Sequence, residues 1–303
     1  MTISLKNARG SGAIPMIPFT EDYQIDIPVL EKELEFICAS HVGNICTPVM
    51  VSEFMTLSEE ERRLLIRIPV EISDGKIPVI ANAASTNIHI AVSYAQYAEK
   101  IGADAIISMA PWCGDSNKSG IITYFRTLAS HTSLPVMIQN IGLPGVSLTV
   151  DEILELCASV PNISWVKQEV APGPLSIDEL NQRKTPNLEG IMSGFGGAYT
   201  PLDFANGATA TIQACELCDV TQKVWNLFFE GKEREARKLH RQILPALQAE
   251  LLYGTAFAKE IMVRRGIFKN TLMRNKSTCF SASSMHEINC LWDEIEPLLI
   301  TKL

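Results

Sequence analysis

Short apolar runs rich in β-branched residues recur along the chain between longer amphipathic stretches, and their order predicts the fold. Eight such runs stand out: "AIPMIPF" (13–19), "GNICTPV" (43–49), "IPVIANA" (77–83), "ADAIISM" (103–109), "LPVMIQN" (134–140), "ISWVKQE" (163–169), "LEGIMSG" (188–194) and "GATATIQ" (207–213). None alternates cleanly between apolar and polar, which is the pattern of strands covered on both faces in a parallel sheet. Helical periodicity fills the gaps. In "NIHIAVSYAQYAEKIG", residues Ile88, Ala91, Ala95, Ala98 and Ile101 share one face, and Gly102 stands where a helix would end. Ser58 with Glu61, Thr149 with Glu152 and Ser176 with Glu179 have capping-box spacing and predict three helix starts. Pro28 after Asp26 suits a first helical turn.

Similar turns precede several strands: "HVGNIC", "KIGADAII" and "ANGATATI" each carry a glycine just before the apolar run. A helix-to-strand turn repeated in this way predicts a closed α/β barrel, the (β/α)8 TIM barrel, rather than an open doubly wound sheet. Beyond residue 215 only helical patterns continue, through "EREARKLHRQILPALQAELL", "GTAFAKEIMVRRG" and "SMHEINCLWDEIEPLL". The expected organisation is a barrel core over 1–215, then the final barrel helix and a C-terminal helical extension over 216–303.

Composition narrows the function classes. Of 303 residues, 47% are hydrophobic and 20% charged, which suits a folded globular chain throughout. A net charge of -8 argues against nucleic acid, whose phosphates require clustered Lys and Arg. The densest basic stretch, "KEREARKLHR", is interleaved with glutamates and reads as a solvated helix face. No apolar run reaches the ~18 residues of a membrane span, so no membrane partner is expected. Eight scattered cysteines and no evident secretory leader favour a reduced compartment and a cytoplasmic location. Cys215 and Cys218 form a C-x-x-C with no second pair, and His41, His89 and His131 lack metal-ligand spacing, so packing is the expected role of each. "GFGG" lacks the Lys-Ser/Thr that completes a phosphate loop and reads as a turn lining a pocket.

The candidate chemistry lies in "SWVKQEV", residues 164–170, where Lys167 falls near the end of the sixth strand. Functional groups of a barrel sit at the carboxyl ends of its strands. A lysine shielded there loses hydration, which favours the neutral amine and its attack on a carbonyl to form a Schiff base. Side chains alternate along a strand, so Glu169 points to the side of Lys167 and Gln168 away from it. The pair reads either as a structural ion pair or as an imine-forming amine with a carboxylate that shuttles protons at the adjacent carbon.

The resemblance enters with three segments. A fifth strand ending in "QN", a sixth carrying "VK" and a second leading into "SEFMTLSEEER" resemble the dihydrodipicolinate synthase and N-acetylneuraminate lyase family of class I Schiff-base enzymes, over nearly the whole chain. That family carries G-[TS]-T-G-E-x-x-x-L-[ST]-x-x-E-[RH] after strand two. "VMVSEFMTLSEEER" (49–62) matches it at Glu53, Leu57, Ser58, Glu61 and Arg62, but Met50 and Val51 replace the hydroxyl pair that holds the substrate carboxylate. Gln139 stands where the family has a proton-relaying tyrosine, followed by a retained Asn140, and Trp112 where many members have a tyrosine. The turn "SGFGG", with Ser193 and Gly194, resembles the family's pocket-lining S-G-D-D/G.

An amide does not titrate near neutrality, so Gln139 can orient a hydroxyl or water but cannot act as the acid or base of an aldol step. Together with the K-x-E of Lys167 and Glu169, this makes the chain similar to the 2-keto-3-deoxy-L-arabonate dehydratases of the family. The resemblance implies a lysine imine that dehydrates a 2-oxo-3-deoxy sugar acid, with no metal or organic cofactor. In that scheme Lys167, Glu169 and Gln139 are catalytic, while Ser52, Glu53, Met50, Asn140, Trp112, Ser193 and Gly194 contact substrate. Backbone amides around Ser52 and Glu53 would hold the carboxylate. Deamination of a hydroxy-pyrroline carboxylate, a pyruvate-dependent aldolase or lyase reaction, and a non-catalytic 2-oxo-acid-binding barrel are the other readings. The family's common assembly implies a homotetramer with Trp112 near a neighbour's pocket.

Overall fold

The computed structural model describes residues 5–113, 117–143, 147–275 and 280–302. Eight parallel strands close into one barrel in chain order: β1 (Gly10–Ile14), β2 (Asn44–Thr47), β3 (Val79–Asn82), β4 (Ala105–Ser108), β5 (Val136–Ile141), β6 (Ile163–Glu169), β7 (Gly190–Ser193) and β8 (Ala210–Ala214), with β8 paired back to β1. The fold is the expected (β/α)8 TIM barrel with C-terminal helices. Nearly every strand position is buried, because helices cover the outer face while side chains fill the inside. Inside the barrel, Ile80, Ile107, Met137, Trp165, Met192 and Ile212 pack together; Ile106, Val136, Ile138 and Val166 face the surrounding helices.

The helices between strands are α1 (Ile27–Ala39), α2 (Glu59–Ser73), α3 (Ile88–Ile101), α4 (Lys118–Ala129), α5 (Val150–Ser159), α6 (Gly173–Gln182) and α7 (Thr200–Ala205). After β8 come α8 (Cys218–Phe229), α9 (Glu233–Tyr253), α10 (Thr255–Arg264) and α11 (Ala282–Ile295). Ser58 and Thr149 cap α2 and α5 with reciprocal bonds to Glu61 and Glu152. Asp26 caps α1 ahead of Pro28, and Gly102 ends α3 in the left-handed conformation at φ 89°.

Two expected boundaries move. The first strand is "GSGAI" rather than "AIPMIPF", because Pro15 and Pro18 have no N–H to donate to a ladder. Gly12 hides this strand from a reading by β-propensity, yet a Cβ there would lie 2.6 Å from Asn44 Oδ1, so the barrel interior requires the glycine. The third capping box fails: α6 starts at Gly173, one turn before Ser176, whose hydroxyl bonds back to the Pro172 carbonyl. The basic stretch of α9 is solvated as expected, with Arg237 on Glu233 one turn away.

Candidate active site

β6 sets the centre of the site. Residues Trp165, Lys167 and Glu169 alternate onto one side of the strand, and Lys167 and Glu169 reach the carboxyl end of the barrel. There they line a cavity of about 270 Å3 with Ile14, Val49, Met50, Val51, Gln139 and Ile141. Its remaining wall comes from Phe195, Gly196, Ile212, Gln213, Ala214, Glu250 and Leu251.

Lys167 is 3% exposed, and its Nζ lies 3.0 Å from Glu169 Oε1. The other carboxylate oxygen, Oε2, accepts a 2.9 Å bond from Gln139 Nε2, which the β5–β6 register brings opposite Lys167. A third constraint comes from the residue just after β7: a Cβ on Gly194 would stand 2.1 Å from Glu169 Oε1, so only glycine leaves space for the carboxylate. Glu169 is therefore held from three sides, with one oxygen on the amine and one on an amide. Such an arrangement can accept a proton from the ammonium and return one to a carbon bound at the nitrogen.

Met50 and Gly194 thus join the three expected catalytic residues, while the other expected contacts are directed elsewhere. Asn140 points outward, its amide bonded to Gln168 Oε1 and the Leu148 carbonyl and its oxygen to Leu148 N, so it anchors the segment after β5. Ser193 shares that outward phase and bonds Thr211 Oγ1 at 2.8 Å. Ser52 donates to the Pro15 carbonyl at 2.7 Å. Glu53 is 2.7 Å from Lys259 Nζ and accepts from the Arg274 and Asn275 amides, away from the Lys167 cavity. The backbone amides of Ser52 and Glu53 are bonded to the Val49 and Met50 carbonyls, which removes them as carboxylate holders. Trp112 packs edge-on against Phe54 at 5.5 Å and does not line the cavity. Strand alternation already separates Gln139 from Asn140; the motif match alone does not respect it.

Two polar wall residues, Gln213 and Glu250, escaped the sequence reading. Gln213, one residue before the end of β8, has its amide on Thr221 and its Oε1 without a partner. Phe195 opens the "GFGG" turn after β7, which lines the cavity as expected, in a left-handed conformation at φ 53°. Glu250 comes from α9, outside the eight strand–helix units, on the face that buries Ile243, Ala246 and Leu247. An acid on an otherwise apolar helix face was the available signal for it.

Beside the cavity, Glu33 is fully buried, accepting from Met16 N and from the Cys215 thiol. Burial pushes its carboxyl up to about 8, against the two hydrogen bonds and the Lys259 charge. Cys215 and Cys218 are buried free thiols, as packing residues would be. Among the described residues no three metal-ligating side chains converge, and no helix is long and apolar enough to cross a membrane.

The barrel finds its counterparts among known proteins. The model of the dihydrodipicolinate synthetase family matches residues 7–290. The chain belongs to that family. It is 29% identical over 245 residues to the 4-hydroxy-tetrahydrodipicolinate synthase of Methanosarcina mazei, covering 80% of this chain and 83% of that one. The enzyme of the same name from Methanococcoides burtonii is 30% identical over 245 residues, covering 78% and 82%. The solved structure of the Methylacidiphilum fumariolicum 4-hydroxy-tetrahydrodipicolinate synthase superposes with a TM-score of 0.88 at 25% identity, over 96% of this chain and 97% of that one. The dihydrodipicolinate synthetase family frame therefore holds over the barrel and reaches into the C-terminal helices.

Proposed function

We propose that this chain is a Schiff-base lyase that dehydrates a 2-oxo-3-deoxy sugar acid similar to 2-keto-3-deoxy-L-arabonate. The observation that carries the reading is the Lys167–Glu169 pair with an amide, Gln139, on the second carboxylate oxygen. A synthase of the kind its relatives are named for joins carbon skeletons, for which the family places a titratable phenol at the Gln139 position. Here the acid–base group beside the amine is a carboxylate, suited to moving protons at the carbon next to the imine.

In the proposed sequence, Lys167 Nζ passes a proton to Glu169 and adds to the C2 ketone; Glu169 returns that proton to the carbinolamine oxygen, and loss of water gives the iminium. Glu169 takes a C3 proton, and the electron pair forms the enamine. That pair then expels the C4 hydroxyl, which leaves as water with one added proton, giving an iminium conjugated to a C3–C4 double bond. Loss of a C5 proton and return of one to C3 moves the unsaturation to an enol at C4–C5. Tautomerisation to the aldehyde and hydrolysis of the imine release 2,5-dioxopentanoate and the free lysine. The substrate carboxylate is assigned to the turn at Met50 and Val51, both on the cavity wall.

Product analysis tests this reading. Incubation with 2-keto-3-deoxy-L-arabonate is expected to yield 2,5-dioxopentanoate with no carbon–carbon cleavage. Condensation of pyruvate with an aldehyde, with no dehydration, would assign the site to the synthase or aldolase reactions instead.

A further inference from the structure

The dehydration needs a proton at the leaving C4 hydroxyl, and the groups described so far do not supply it well. Glu169 has just taken the C3 proton and remains tied to Lys167 and Gln139, Gln139 is an amide, and Asn140 faces away. One further acid lines the cavity: Glu250, brought in by the end of α9 against the turn after β7. Its placement is built. A Cβ on Gly196 would lie 2.1 Å from Glu250 Oε2, so the turn passes directly against the carboxyl with a glycine at the point of approach. The residue is 7% exposed and lines the cavity together with Lys167 and Glu169.

We propose that Glu250 is a second catalytic acid of this site, donating its proton to the hydroxyl that leaves from C4. This rests on the dehydration reading above. The proton balance closes: Glu250 gives one proton to the departing hydroxyl, which becomes water, while the C3 proton stays on Glu169 and returns to carbon later in the cycle. Glu250 recovers its proton from the C5 position or from solvent as product leaves. The electrostatics agree with the geometry. Burial pushes the Glu250 carboxyl up to about 8, with Glu216 adding to this, Lys167 opposing it and Glu169 adding again. At neutral pH the group therefore carries the proton the step requires. The two carboxyls of the cavity stand in unlike surroundings, Glu169 against an amine and Glu250 against a glycine turn.

The test separates this step from the others. In Glu250→Gln, borohydride trapping of pyruvate on Lys167 and exchange of its C3 hydrons in deuterated water are expected within about threefold of the parent, while dehydration of 2-keto-3-deoxy-L-arabonate falls roughly 100-fold or more, the scale of general acid catalysis. An analogue bearing fluoride at C4, which leaves without a proton, should remove most of that deficit. Dehydration in Glu250→Gln within threefold of the parent, or an equal deficit on the fluoro substrate, overturns the proposal, as does loss of trapping and exchange together with dehydration. A parent protein that traps pyruvate but dehydrates no 2-oxo-3-deoxy acid overturns instead the reaction on which the proposal rests.

Discussion

Lys167 Nζ and Glu169 Oε1 stand 3.0 Å apart on the same side of β6, with Gln139 Nε2 on the second oxygen of the carboxylate. Spacing of two along one strand makes that encounter obligatory, and the neighbouring strand fixes its direction. Glu169→Gln removes the base and keeps the shape. Pyruvate should still be trapped by borohydride, though more slowly because Glu169 no longer takes the lysine's proton, while exchange of its C3 protons should fall by roughly 100-fold or more. Exchange at the parent rate would make Glu169 a structural partner only.

Gly194 offers a test of position rather than chemistry. An alanine Cβ would meet Glu169 Oε1 at 2.1 Å, and the carboxylate has little freedom to yield while bonded to Lys167 and Gln139. Gly194→Ala is expected to lower C3 exchange roughly 10- to 100-fold, since misplacement by about 1 Å can cost about 100-fold in rate. Imine trapping should persist. Unchanged exchange would mean that the carboxylate has room the structure does not give it.

Glu53 illustrates a residue that motif and geometry assign differently. It sits in a buried ion pair with Lys259 and accepts two backbone amides from the segment at Arg274. Breaking a buried pair from one side costs about 3–5 kcal/mol, because the partner charge stays behind. Glu53→Ala should therefore shift the urea midpoint markedly while the folded fraction still traps pyruvate. Normal stability with lost trapping would return Glu53 to the substrate.

Stability should also fall with rising pH through a buried acid. Glu33, surrounded by Met16, Cys215, Lys259 and Glu216, has its carboxyl raised by burial from 4.5 to about 8. A carboxyl raised on folding binds more proton in the native state than in the unfolded chain. Its contribution is thus full below roughly pH 4.5 and is lost as pH rises to about 8. One such proton accounts for at most about 1.4 kcal/mol per pH unit. Calorimetry of Glu33→Gln should show a shallower decline of Tm over that window; parallel curves would contradict the assignment.

The barrel was legible because parallel strands covered on both faces leave continuous apolar runs, and seven of the eight appear close to where they form. The first strand was not, since Gly10 and Gly12 are there for close packing against Gln222 and Asn44, a tertiary requirement with no local trace. At the site, strand periodicity placed Lys167 and Glu169 together, and the register of β5 on β6 added Gln139. Motif matching overreached at Asn140, Ser193 and Glu53, whose side chains hold loops and an ion pair around the cavity. Glu250 was out of reach for a different reason: no spacing within the chain ties the end of α9 to the strand ends, and only the closed fold brings them to one cavity.

The central claim, a lysine imine that carries a dehydration, is tested most directly by mass spectrometry of the protein reduced with borohydride during turnover of 2-keto-3-deoxy-L-arabonate. The expected result is one covalent adduct on the peptide containing Lys167, lost in Lys167→Ala, with 2,5-dioxopentanoate in the quenched solution. An adduct on another lysine, or none with any 2-oxo acid tried, would contradict it.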